Sequence, residues 1–224
     1  MSDRIQRVLL FGASGQIGER VRALLAASGH ALVAVSRDVQ PAAADVEWRQ
    51  GWLPDAGGDI DGFDAIVSCG PLDMFSLWYA RTDTGAARVV AFGSTSVHVK
   101  HDSPDPDERG VAEHLRDAEA RMAEAASSRG ASVTVLRPTL VYGSGRDRNL
   151  SRIAALARGH RFFVLPHDAR GLRQPVHVDD LAAATVAALG RTTPGLRAYV
   201  LPGGQSLAYR AMVGRVLATL RPRA

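Results

Sequence analysis

Up to Tyr142, short apolar runs rich in β-branched residues alternate with longer stretches of helical periodicity, the pattern of parallel βαβ units. Arg7 to Phe11 reads as a first strand, Gln16 to Ser28 as a helix ended by Gly29, and Ala31 to Ser36 as a second strand. Val46 to Arg49 suggests a short third strand, and Ala65 to Cys69 and Val89 to Phe92 read as buried strands with a helix near Met74 to Thr82 between them. A long helix opens at Asp105 to Asp107, reaches about Ser128 and stops at Gly130, before a strand from Ser132 to Leu136. Beyond Tyr142 the expected elements are helices near Leu150 to Arg158, from Asp179 to Leu189 and from about Ser206 to Leu220, with strands at Phe162 to Leu165 and Tyr199 to Leu201. Asp179 or Asp180 is the expected cap of the middle helix. The sum is a Rossmann-type α/β fold: a doubly wound parallel sheet with helices on both faces. One domain, 1–224, is expected, with a small substrate-side lobe formed mainly by 142–224.

One turn carries the clearest chemistry. Gly12, Ala13, Ser14, Gly15, Gln16, Ile17 and Gly18 follow a strand and open a helix. Gly12 permits the tight turn, Gly15 lets backbone approach a pyrophosphate, and Gly18 lets the helix pack on the strand, while free N–H groups and the helix dipole face the phosphates. The second strand ends in Ser36-Arg37, where an NAD site usually places an acid for the ribose 2′-hydroxyl. Ser36 can donate to a 2′-phosphate and Arg37 can pair with it, so NADP(H) is the expected cofactor. NAD(H) stays open, because Asp38 is one residue further on.

Composition removes other classes. The net charge of +4 is carried by arginines scattered over every segment, with Lys100 the only lysine, so no basic face for nucleic acid is visible. No apolar run reaches the roughly 18 residues that span a bilayer, and the chain enters its first strand without a signal-like leader, so a cytoplasmic location and no membrane association are expected. The single cysteine, Cys69, excludes an internal disulfide and reads as a buried structural thiol. His98 and His101 form a His-x-x-His without a third ligand placed by spacing, so no metal site is expected.

Five stretches in order resemble the short-chain dehydrogenase/reductase superfamily, in particular its extended and atypical NAD-dependent epimerase/dehydratase branch. They are the glycine turn, Phe63 to Val67, Phe92 to Val97, Leu136 to Gly143 and Gln174 to Ala182. The resemblance implies that Trp52-Leu53 lie against adenine, that Cys69-Gly70-Pro71 meet the nicotinamide-side ribose, and that Pro138 and Thr139 sit beside the nicotinamide ring. It also implies a Tyr-x-x-x-Lys pair that relays a proton to the substrate oxygen. With the long helix anchored on Glu119, those slots hold Val111 and Leu115, and no tyrosine lies between Tyr79 and Tyr142. Val111, Leu115, Ala118, Met122 and Ala125 instead read as a packed helical stripe.

Ser94 occupies the slot of the family's third catalytic hydroxyl, with a strand-end serine bonded to local backbone as the competing reading. His114, beside the empty pair, is the candidate substitute acid, against an ordinary surface histidine. His177 is expected to stabilise its loop and helix start. Two functions follow: an NAD(P)-dependent oxidoreductase or epimerase/dehydratase-like enzyme acting on a small carbonyl or sugar-like molecule, or a non-catalytic NADP(H)-binding sensor or assembly partner. The chain is expected to be a monomer or a homodimer.

Overall fold

The computed structural model describes residues 5–147, 149–160, 165 and 171–220. The N-terminal half runs β1 (Arg7–Phe11), α1 (Gln16–Ala27), β2 (Ala31–Ser36), β3 (Glu47–Gln50), β4 (Ala65–Ser68), α2 (Leu72–Arg81) and β5 (Arg88–Phe92). The remainder runs α3 (Ser96–Val99), α4 (Pro106–Arg129), β6 (Ser132–Pro138), β7 (Leu140–Tyr142), α5 (Leu150–His160), β8 (Leu172–Arg173), β9 (Pro175–His177), α6 (Val178–Leu189), β10 (Gly195–Leu201), β11 (Leu207–Ala208) and α7 (Tyr209–Thr219). The strand expected at Phe162 to Leu165 falls mainly on residues outside the described ones.

Seven strands form one sheet in the order β10-β6-β5-β4-β1-β2-β3, with every pairing parallel. The chain leaves β1 toward β2 and β3 on one side and returns through β4 and β5 on the other. The sheet therefore reverses direction between β1 and β4, where a crevice opens beyond the strand ends.

Alternation along β1 shows why its run is continuously apolar. Val8 and Leu10 join one core with Val21 and Leu25 of α1 and Leu181 and Leu189 of α6, whereas Leu9 and Phe11 join a second with Phe75 and Trp78 of α2 and Met122 of α4. Both faces of the strand are buried, as a parallel sheet demands. Asp64 fixes the sheet's near end, because its carboxylate accepts the N–H groups of Gln6 and Arg7 at 2.8 and 2.9 Å. Those two bonds hold its pKa below the ordinary carboxylate value.

Helix ends follow local chemistry. Asp105 caps α4 by accepting the Asp107 N–H at 2.9 Å, and Gly130 ends it at φ +62°. The cap of α6 is neither Asp179 nor Asp180. His177 fills that place, its Nδ1 accepting the Asp179 N–H at 3.2 Å, so the first helical residue is Val178 and both aspartates fall in the first turn, where they favour the dipole. His177 also packs edge-on to Tyr142 at 5.1 Å between ring centroids, which fastens β9 to β7.

The expected lobe of residues 142–224 divides. β10 completes the main sheet and α6 lies against α1, while α5 and α7 share a small core of Ile153, Met212 and Val213. β7, β8, β9, β11 and the four-residue α3 were not legible, since two to four residues carry too little periodicity.

Within the second core, Arg137 at the end of β6 reaches Glu119 of α4 through both nitrogens of its outer edge, Nε lying 2.8 Å from Oε1. The side chains are only 14% and 11% exposed, so loss of either partner strands a charge. Glu119→Ala is expected to lower the unfolding free energy by about 3 kcal/mol in urea titrations, and the paired replacement E119L/R137M to recover most of it.

Candidate functional site

The glycine turn is built by close approach of three backbone segments. Gly12 has φ +72°, and a Cβ there would lie 3.0 Å from the Cys69 carbonyl carbon and the Gly70 nitrogen at the end of β4. A Cβ on Gly18 would lie 2.0 Å from the Gly12 carbonyl oxygen, so α1 sits directly on the turn. The Gly15 N–H donates to that same Gly12 oxygen at 2.9 Å, and Gly15 caps α1 with no side-chain acceptor. The helix's leading N–H groups, those of Gln16 and Ile17 among them, have no backbone partner among the described residues. Together with the dipole they form an anion-binding end.

The turn residues divide the work. Ala13 and Gly18 are buried, and Ile17 packs against the first core. Ser14 and Gly15 line a cleft of about 550 Å³, joined there by Gly12, Ser36, Arg37, Trp52, Leu53, Cys69, Gly70 and Pro71. Ten of the sixteen residues expected to hold a dinucleotide thus meet in one cleft at the β1–β4 reversal. Ser36 is buried and its hydroxyl accepts from the Gln40 amide at 3.1 Å. Arg37 is exposed, and its guanidinium has no ion pair among the described residues. Asp38 lines the cleft as well.

Trp52 stands 58% exposed over the cleft. Cys69 is half-buried, and desolvation of its sulfur pushes the thiol up to about 12. Gly51 and Met74 were missed. Gly51 follows β3 where a Cβ would stand 3.2 Å from Val35, and Met74 lies on the first turn of α2 beyond Pro71; an isolated glycine and a helical methionine carry no motif.

Gln16 and Thr139 line a second cavity, of about 510 Å³, with Leu140, Val141, Arg146, Asp147 and Asn149. The Thr139 hydroxyl donates to the Gln174 carbonyl, which ties β7 to the segment before β9. Pro138 is buried at the end of β6 and lines neither space. Leu140 and Asn149 also border a cleft of about 450 Å³ against α5 and α7, where Arg152, Arg173 and Tyr209 meet. Arg146, Arg152 and Arg173 carried no signal in the sequence, being three arginines among many.

The catalytic candidates are less well placed. The Ser94 hydroxyl accepts the Ser96 N–H at 3.1 Å and donates to the Ser96 hydroxyl at 3.0 Å, a local turn of the kind strand-end serines make. His114 is exposed on α4 and has no hydrogen bond or ion pair among the described residues. Neither borders the three cavities. His98 and His101 part company, taking Arg137 Nη1 at 2.6 Å and Arg116 Nη2 at 2.8 Å respectively. No group of metal-ligating side chains occurs among the described residues.

The packed stripe on α4 needs correction. Ala118, Met122 and Ala125 are buried, but Leu115 is only half-buried and Val111 is 43% exposed. Helix α4 leaves the core toward its N-terminus, so the periodicity is right and the burial stops halfway.

This sheet order and turn define a Rossmann-type α/β protein. The sequence profile of the NAD dependent epimerase/dehydratase family matches residues 71–201, and the chain belongs to that family. No curated protein matches the sequence. Among solved structures, the fold is similar to MoeE5 in complex with UDP-glucuronic acid and NAD, at 22% identity and TM-score 0.77, over 95% of this chain and 82% of that one. It is similar to TunA, an NAD-dependent NDP-hexosamine 5,6-dehydratase involved in tunicamycin biosynthesis, at 19% identity and TM-score 0.78, over 96% and 81%. It also resembles UDP-N-acetylglucosamine 4-epimerase from Methanobrevibacter ruminantium M1, at 14% identity and TM-score 0.77, over 97% and 83%. No described helix is long and apolar enough to cross a membrane.

The raised Cys69 thiol sets a pH dependence. A thiol titrating near 12 rather than 9 stays neutral when folded, so alkylation by iodoacetamide is expected to be at least a hundredfold slower at pH 8.5 than in urea-unfolded chain. Because the unfolded thiol ionises first, its contribution to stability is intact below pH 9 and is lost as pH rises toward 12. Equal alkylation rates in the two states would show an open, ionised thiol.

Proposed function

We propose that the chain is an atypical member of its family that binds NADP(H) and oxidises, reduces or epimerises a small carbonyl or sugar-like molecule without a Tyr-x-x-x-Lys relay. The observation that carries this reading is the continuity of the site. One cleft runs from the glycine turn past Ser36 and Arg37 to Trp52 and Pro71, and a second begins at Gln16 and reaches Thr139. The start of α1 borders both spaces, giving Ser14 and Gly15 to the first and Gln16 to the second. The solved structures similar in fold include complexes with NAD and with UDP-sugars, which supports a nicotinamide cofactor and a polyhydroxylated substrate.

Bound there, the nicotinamide supplies or accepts the hydride. The remaining work belongs to the chain. The N–H groups at the start of α1 hold phosphate charge, and Ser36 and Arg37 favour a 2′-phosphate over a bare hydroxyl. Trp52, half out of its cleft, offers a face for adenine. Ser94, whose hydroxyl is hydrogen-bonded to Ser96, is the candidate donor to a substrate oxygen. His114, exposed on α4, is the second candidate acid.

The substrate side extends from Leu140 and Asn149 toward Arg152, Arg173 and Tyr209. Two arginines beside a tyrosine favour an anionic group on the substrate. The chain acts as a single domain, a monomer or a homodimer, in the cytoplasm under this reading. A second reading, non-catalytic dinucleotide binding, is favoured by one specific observation: neither Ser94 nor His114 borders the three cavities described above.

Nicotinamide fluorescence separates the cofactors. NADPH is expected to bind about tenfold tighter than NADH, and Arg37→Glu to reverse that order. Tighter NADH binding by the native chain would overturn the role given to Arg37. Trp52→Ala is expected to weaken both cofactors about tenfold and to remove the tryptophan quench that accompanies binding.

A further inference from the structure

Arg146 belongs to the loop after β7, yet its guanidinium lies over the start of α1, more than a hundred residues away in sequence. Nη1 stands 3.5 Å from the Ser14 carbonyl oxygen and Nη2 stands 2.6 Å from Glu19. The loop that delivers it is held on both sides. Its own N–H donates to the Ser144 hydroxyl at 3.2 Å, and that hydroxyl donates to Gln16 Oε1 at 3.1 Å. The next residue, Asp147, is buried and accepts the N–H groups of Asn149 and Ser151 at 3.1 and 3.0 Å. Burial pushes the Asp147 carboxyl up, but the Ser151 hydroxyl and these N–H groups outweigh it and hold it below the ordinary range. Its charge is committed to the start of α5, so it does not neutralise Arg146.

Glu19 poses the electrostatic problem. A carboxylate in the first turn suits the dipole of an empty helix, but it opposes two phosphate charges brought to the same end. Arg146 pairs with Glu19 and also borders the second cavity with Gln16 and Thr139. Both partners are about half exposed, at 52% and 49%, so the pair itself is weak and readily exchanged.

We propose that Arg146 is a cationic ligand of the dinucleotide pyrophosphate, carried across the glycine turn by residues 143–147, and that Glu19 parks its guanidinium until the phosphates arrive. The inference rests on the dinucleotide reading above. Arginine suits the task because its planar fork can keep one edge on the Ser14 carbonyl while the other meets phosphate oxygen. The lobe that completes the substrate side thereby also closes the cofactor site.

Binding measured by nicotinamide fluorescence and by competition tests the idea without requiring turnover. Arg146→Gln is expected to weaken NADPH and NADH alike by about tenfold and to weaken ADP-ribose by the same factor, while adenosine binds as before. Glu19→Gln, which leaves the arginine in place, is expected to tighten both dinucleotides. Unchanged dinucleotide affinity in R146Q, or an equal loss for adenosine, would overturn the proposal. Weaker dinucleotide binding by E19Q would overturn the parking role. Failure of the native chain to bind any dinucleotide would instead overturn the reading on which the proposal stands.

Discussion

The structure depends on a contact in which no side chain fits: the meeting of β1, β4 and α1 at Gly12. Its carbonyl oxygen accepts the Gly15 N–H and lies where a Cβ on Gly18 would have to be, while its α-carbon faces the backbone of Cys69 and Gly70. These approaches set the angle at which α1 leaves the sheet, and hence where its free N–H groups point. Every feature of the site is referred to that angle. The turn gives Gly12, Ser14 and Gly15 to the cleft toward Trp52, and Gln16 to the cavity toward Thr139.

Two cores keep the turn rigid. Strands β1, β2, β4 and β5 feed alternate side chains to the α1–α6 face and to the α2–α4 face, so neither helix pair can move without unpacking the strand ends. The Arg137–Glu119 pair and the aromatic cluster of Phe11, Phe75 and Trp78 close the second face beneath the β4–α2 connection. By contrast, the α5–α7 cluster is small, with Ile153, Met212 and Val213 as its buried residues.

Much of the fold was legible because its signals are periodic and long. Buried parallel strands such as Leu32 to Val35 announce themselves as apolar runs, and the αL glycines at 29 and 130 mark helix ends. The cleft at the β1–β4 reversal was legible for a different reason: the glycine turn, Ser36-Arg37 and Cys69-Pro71 each sit at a strand end that the pattern locates. The cavities lined by Arg146, Arg152 and Arg173 were not. Arg146 meets Glu19 across the chain, a contact that no local pattern encodes, and His177 caps α6 one residue before the first helical position, ahead of both aspartates. Val111 shows the limit of periodicity. A stripe gives the direction of a helix face but not the point at which the helix leaves the core.

The central claim is that a dinucleotide lies with its pyrophosphate on the N-terminus of α1. A crystal structure of the chain with NADPH tests it most directly. The account predicts phosphate oxygens within hydrogen-bond distance of the N–H groups between Ser14 and Ile17, with the adenosine in the cleft beside Arg37 and Trp52. A dinucleotide bound away from Gly12 to Gly18, or crystals grown at saturating NADPH with no nucleotide on the turn, would contradict it.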